Sequence, residues 1–468
     1  MTDDIAVTGI GLVTSGGTGA EATWEAVCAG RSTARTDPVL AEAGAPVRLA
    51  CRVEPQESPQ QPQQPHEQQP PHQPHQPQSP HRPQPPHQPP KQVRVRGRLW
   101  RFDPATRFLL TAAREALASA GLDPARWDPG RVAVVVGTAA GGIGTLEAQH
   151  RKLLASGPGA LSPMTLPAFL PNMAAGQLAL ELGATGPSLQ TSTACASGAT
   201  AIITAALLLR AGMCDIAVAG GTDAMVTPLC ASAFAKLGAL SRREDDPGGA
   251  SRPFDRDRDG FVLGEGCGVL VLERTAHAVA RTARPLAFLA GFGATGDAHH
   301  ATAPHPGGAG LRAATREALA RAGRSPDEVD HINAHGTSTA LNDAVEATAI
   351  RELYAGGTST GTGPGVETRS KCVPGSGSGS RSGAPSVTSA KGVLGHTMGA
   401  AGAIEAALTV LSVARGTVPP TANFTAPDAT TAGIDIVHAA ARRQRVGLAL
   451  SHSLGFGGHN TVLAFTAV

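Results

Sequence analysis

The sequence predicts a duplicated α/β layer protein, and three observations carry that prediction. First, the chain echoes itself: residues 112–121 match 314–323, and 201–207 match 402–408, each at a spacing of roughly 200 residues. A period that long marks a repeated domain, since solenoid repeats run about 20–50 residues. Second, both halves alternate strand-like and helical stretches, which stack as layers. Third, 468 residues exceed the size at which one core keeps growing, so two large units are expected, 1–275 and 276–468.

The elements follow from local patterns. Residues 112–121 and 314–323 read as amphipathic helices stopped by Gly121 and Gly323, with turns at Pro124 and Pro326. A short apolar strand follows each, at 132–136 and 329–332. The stretch 196–210 is rich in helix formers and apolar on every face, which predicts a buried helix. Its partner at 402–408 places Cys195 opposite His396 and Gly198 opposite Gly399, so the active site is expected where the halves meet. Two segments do not fit a core. Residues 54–92 are almost wholly Pro, Gln and His and have nothing to bury, so an extended insertion is expected. Residues 356–386 are rich in Gly, Ser and Thr and read as a second surface insertion.

Composition excludes several classes. With 41% hydrophobic residues and a net charge of +2, nothing pulls the chain toward nucleic acid or a membrane surface. No apolar run reads as a membrane span, and the acidic start Met1-Thr2-Asp3-Asp4 is no signal peptide, so a cytoplasmic protein is expected. Seven cysteines without a CxxC pair argue for a reducing compartment and against disulfide or zinc frameworks. The histidines of 54–92 are a weak metal motif, and no metal site is expected. Gly9, Gly11 and Thr14 fail the dinucleotide-binding spacing, so no nucleotide cofactor is implied.

Three distant segments carry reactive side chains among small residues: Thr193-Ala194-Cys195-Ala196-Ser197-Gly198, Asn333-Ala334-His335-Gly336-Thr337-Ser338-Thr339, and Lys391-Gly392-Val393-Leu394-Gly395-His396. A thiol with two imidazoles suits thioester chemistry, one group to hold an acyl chain and two to donate hydrogen bonds or move protons. At a helix start, Cys195 is expected to be favoured as a thiolate. The other six cysteines read as small buried hydrophobes.

With these segments, the chain resembles the β-ketoacyl-acyl-carrier-protein synthases, the condensing enzymes of fatty acid and polyketide assembly. The likeness covers nearly the whole chain outside the two insertions and runs through Ile5-Ala6-Val7-Thr8-Gly9-Ile10-Gly11, Pro171-Asn172-Met173, Ser251-Arg252-Pro253-Phe254-Asp255 and Gly455-Phe456-Gly457-Gly458-His459-Asn460. It implies a thiolase-like fold of five layers, α/β/α/β/α. It implies that Cys195 takes an acyl chain from the phosphopantetheine of an acyl carrier protein and condenses it with decarboxylating malonyl, with no bound cofactor. His335 and His396 match the family's catalytic histidines, and Lys391 and Glu405 match a pair that supports them. A lysine beside His396 would hold that imidazole neutral; an ion pair tying two segments together would call for the same residues. The backbone N–H groups of Cys195 and Phe456 match the oxyanion hole, and Phe456 also a gate. Thr337 and Thr339 match residues touching pantetheine, although small hydroxyls also form turns.

The resemblance further implies a dimer, either of identical chains or with a chain-length-factor-like partner lacking the cysteine. Three functions stand within it: the ketosynthase subunit of a type II polyketide synthase, a housekeeping fatty acid synthase of the second elongating type, and a non-elongating chain-length-factor-like partner. The insertions tilt the reading to the polyketide side. Cys195 argues against the last, because such partners lack it. One departure stands out: Ser451-His452-Ser453-Leu454 occupies a place where the family commonly has Ser-Asn-Ser-Phe.

Overall fold

The computed structural model describes residues 4–54, 102–354 and 384–468. Most of both expected insertions, 55–92 and 356–383, lies outside the described residues. The second ends earlier than expected: Ser386 is buried and opens a core strand, so it belongs to the fold.

In the first half, β1 (Ile5–Thr14) is followed by α1 (Pro104–Ala120), β2 (Val132–Gly137), α2 (Met173–Leu182), β3 (Ser188–Thr191), α3 (Ser197–Arg210), β4 (Ile216–Asp223), α4 (Pro228–Leu237) and β5 (Gly266–Arg274). The second half runs β6 (Ala287–Gly296), α5 (Ala309–Ala322), β7 (His331–Asn333), α6 (Ala340–Tyr354), β8 (Ser386–Thr388), α7 (Lys391–Leu394), α8 (Ala401–Arg415), β9 (Asp435–Ile436), β10 (Leu448–Gly455) and β11 (His459–Thr466).

The strand order repeats. β1 pairs antiparallel with β5, β5 antiparallel with β4, and β4, β2 and β3 run parallel. In the same way β6 pairs with β11, β11 with β10, and β10, β7 and β8 run parallel. A short antiparallel join, Ile5–Val7 against 287–289, links the two sheets. Helices α3 and α8 pack together between the sheets, α1 and α2 cover the first sheet from outside, and α5 packs outside the second against α6. This is the expected five-layer duplication.

The echo noticed in the sequence is a packing rule. Gly9 and Gly11 of β1 lie under α1, where an added Cβ would come within 2.1 Å of the Ala116 carbonyl and 1.8 Å of the Ala112 carbonyl. Gly291 and Gly293 of β6 lie under α5 in the same way, 2.1 Å from the Ala318 oxygen and 2.0 Å from the Ala314 oxygen. Those glycines let helix backbone rest directly on strand backbone. Both helices stop at a left-handed glycine, Gly121 at φ 65° and Gly323 at φ 63°.

The middle layer requires small residues too. A Cβ on Gly198 would meet Ala403 N at 2.8 Å and the Gly399 oxygen at 3.0 Å, so α3 and α8 touch where they begin. One expectation needs correcting here. The run Met398–Arg415 is long and apolar enough, by length and composition, to cross a membrane. It is 89% buried as the central helix of the middle layer, which accounts for its apolar faces.

Candidate active site

The two repeats deliver their reactive groups on equivalent turns. Cys195 follows Ala194, whose φ is 49°, and His396 follows Gly395, whose φ is 67°. A positive φ on alanine is a costly conformation, held here by the hydrogen bonds that start α3. The two turns face one another across the cavity, and Asp223 anchors the second. Fully buried at the end of β4, it accepts from Thr138 Oγ1 at 2.6 Å, from Ala139 N at 2.8 Å and from Gly399 N at 2.7 Å. One carboxylate thus ties the loop after β2 to the turn after His396.

A cavity of about 320 Å³ opens onto these turns. Cys195, His335, His396, Thr337, Thr339 and Phe456 all line it, together with Phe234, Phe261 and Met398. The rings of His335 and His396 meet edge to face with centroids 5.4 Å apart, and Phe261 packs on His396 at 5.2 Å. Phe456 faces Phe234 at 6.4 Å. Thr337 and Thr339 bond to each other through their hydroxyls at 2.9 Å, so they combine turn and wall.

Lys391 and Glu405 lie just behind the imidazoles and form a buried ion pair. Lys391 Nζ donates to the His335 carbonyl at 2.6 Å and to His335 Nδ1 at 3.3 Å. The lysine therefore touches His335, whereas the sequence placed it beside His396; its charge still disfavours protonation of both rings. Burial first, and Lys391 second, hold His335 and His396 well below the ordinary imidazole range. On His396, Nδ1 accepts the Met398 N–H at 3.2 Å. With both Nδ1 atoms accepting, each neutral ring carries its proton on Nε2, the donor left for a ligand in the cavity. Burial pushes the Glu405 carboxyl up to about 7 against the pull of Lys391.

Cys195 departs from expectation. Burial pushes its thiol up to about 12, outweighing Lys391 and the backbone N–H of Phe456, which donates to the sulfur. Desolvation of the charged form therefore outweighs the helix-terminus field that favours a thiolate. Among the described residues Cys28, Cys51, Cys195, Cys214, Cys230 and Cys267 are all free.

Sequence reasoning missed the carboxylates that hold the second motif. Glu346 accepts the N–H of His335 at 2.8 Å and of Gly336 at 2.7 Å. Asp343 accepts those of Phe254 at 2.7 Å and Ser338 at 3.1 Å. Both lie fully buried on α6. Their spacing of one helical turn in the helix after His335 was the available signal. Asp223 had none, since its partners come from both halves.

Two like sheets over a shared helical layer, with a thiol and two neutral imidazoles where they meet, define a thiolase-fold condensing enzyme. Residues 2–278 match the beta-ketoacyl synthase N-terminal domain and 286–425 its C-terminal domain. The chain is 41% identical over 365 residues to "3-oxoacyl-(acyl-carrier-protein) synthase 2" of Synechocystis, covering 78% of this chain and 82% of that protein. It also superposes on a type II polyketide ketosynthase solved bound to a hexaketide and in complex with its acyl carrier protein, with TM-score 0.80, 28% identity and 100% of both chains covered. The ishigamide ketosynthase/chain length factor gives TM-score 0.79 and 29% identity, again over 100% of both chains. The chain belongs to the β-ketoacyl synthase family.

Proposed function

We propose that this chain is the elongating ketosynthase of a type II polyketide synthase, acting on acyl and malonyl groups carried by the phosphopantetheine of acyl carrier protein in the cytoplasm. One observation carries the reading: a buried thiol shares a single apolar cavity with two imidazoles whose remaining donors are Nε2–H. In the loading step the Cys195 sulfur attacks the acyl thioester carbonyl, and the carrier thiol leaves with the proton the cysteine gives up. The N–H groups of Cys195 and Phe456 take the developing oxyanion. In the second step the bond from malonyl carbon to carboxylate breaks and carbon dioxide leaves. The electron pair passes to an enolate whose oxygen His335 and His396 receive through Nε2–H. The enolate carbon attacks acyl-Cys195, the sulfur departs and regains a proton from solvent, and a β-ketoacyl chain two carbons longer remains on the carrier. Lys391 and Glu405 hold His335 in the tautomer that can donate.

A chain-length-factor-like partner without the cysteine is part of this reading. Its support is the ishigamide ketosynthase/chain length factor among the structural relatives and the outer edge of the sheet at β3, unpaired among the described residues, where Leu189 and, on α3, Leu207 stand 40% and 49% exposed. The fatty acid reading has its own support in the 41% identity to the Synechocystis synthase. Expression alone, followed by light scattering and a condensation assay, separates the two. A poorly soluble or inactive chain, rescued by the partner, is expected; a soluble homodimer elongating at full rate would overturn the polyketide assignment.

A further inference from the structure

His452, the residue that departs from the family's usual asparagine, lies on β10 with no exposure to solvent. Its neighbours along one face of the strand, Leu450 and Leu454, belong to the apolar core of the second half. Ser453, on the opposite face, reaches α8 at Gly402, where an added Cβ would lie 2.8 Å from its hydroxyl. An imidazole in a layer of leucines is costly unless its polar atoms are matched. Nε2 has no partner. Nδ1 lies 3.2 Å from Glu346 Oε1.

That contact reaches the site through one residue. The same Glu346 carboxylate accepts the backbone N–H groups of His335 at 2.8 Å and Gly336 at 2.7 Å. The turn it holds needs a glycine, with φ 37° at Gly336, and runs on into a strained Ser338 at φ 70°. His335 is therefore fixed from two sides, by Lys391 at its ring and carbonyl and by Glu346 at its amide. We infer that His452 is a positioning residue: by donating Nδ1–H to Glu346 it clamps the carboxylate against the His335–Gly336 turn and so sets where Nε2 of His335 stands in the cavity. The consequence for condensation rests on the function proposed above; the clamp itself does not.

The test compares His452→Asn with His452→Gln in the full chain. An asparagine amide nitrogen overlies imidazole Nδ1 and keeps the bond to Glu346, whereas a glutamine amide nitrogen overlies Nε2 and points away. Amide hydrogen exchange of His335 and Gly336 is read without substrate. Acyl loading of Cys195 is read by intact mass, and condensation by carbon dioxide release from malonyl carrier protein. The Gln variant is expected to speed exchange at both amides and to lower condensation kcat, each by about tenfold, while loading and the KM for malonyl carrier protein hold. The Asn variant is expected to stay within about threefold of the parent in every readout. Should the Gln protein not fold, His452→Leu, matching its leucine neighbours, carries the same expectation. Equal exchange in the Gln and Asn proteins would overturn the clamp. Faster exchange with condensation unchanged would overturn the positioning role. A parent that never condenses counts against the proposed function, and the exchange measurement still decides the clamp.

Discussion

Replacing Lys391 with methionine removes three donor contacts while keeping a long unbranched chain. The lost contacts are those to the His335 carbonyl at 2.6 Å, to His335 Nδ1 at 3.3 Å and to Glu405. Two effects follow, and they separate. Breaking a buried ion pair on one side costs about 3–5 kcal/mol of stability. Glu405 already sits at about 7, so it can take up a proton, and the lower end is expected. The second effect is chemical. Without a donor at Nδ1 the His335 proton is free to move there, and Nε2 ceases to donate. Loss of one such donor lowers kcat by about 10²–10³, or about 2.7–4 kcal/mol in the barrier. Loading, which uses Cys195 and two backbone N–H groups, should stay within a few-fold. The double variant Lys391→Met with Glu405→Gln removes both charges and should regain most of the stability. It should not regain condensation. Urea unfolding measures the first effect, and carbon dioxide release set against intact-mass loading measures the second. Recovery of condensation together with stability in the double variant would show that Lys391 serves only to hold the fold.

Cys195→Ala should form no acyl adduct by intact mass, while His335→Ala and His396→Ala should load and fail to condense; equal loss of loading in all three would defeat this division of labour. Gly11→Ala should leave little folded protein or cost more than about 3 kcal/mol, because the new Cβ would lie 1.8 Å from a helix carbonyl. Gly44→Ala, with nothing within 4 Å but a φ of 65°, should cost about 1 kcal/mol, and circular dichroism melts compare the two. Burial pushes buried His331 down to about 4, so its contribution is complete above its ordinary range near 6.5 and is lost as pH falls from there through 4. Relative to the parent, His331→Gln should therefore lose about 2–3 kcal/mol of its stability deficit between pH 7 and pH 4.5 in urea titrations, and a constant difference would refute the assignment.

The duplication was legible because packing forced it into composition. An Ala-rich helix face and its terminal glycine recur in both halves, since each helix rests on a glycine-bearing strand. The reactive residues were legible because small neighbours surround each of them. What escaped was whatever depends on contacts across the chain. The state of the Cys195 thiol is decided by burial in the apolar cluster that also holds Met225, Phe261 and Met398, and local helix context pointed the other way. Lys391 is five residues from His396 in sequence, yet it points to His335, because the turn at Gly395 swings His396 aside. Asp223 bonds mainly to backbone N–H groups drawn from both halves, which leave no trace in side-chain pattern.

The touching starts of α3 and α8 have a bearing on how the protein matures. The thiol arrives on one repeat and both imidazoles on the other, so the first repeat emerges from the ribosome without the groups that complete the site around Cys195. Until the second repeat docks, that sulfur lacks the Phe456 N–H and the Lys391 charge that act on it. Closure of the α3–α8 contact supplies the Phe456 N–H and the acid–base companions of the cysteine in one event. Assembly of the reaction centre is thus bound to the docking of the two repeats, and a half-made chain holds a nucleophile with nothing to act with.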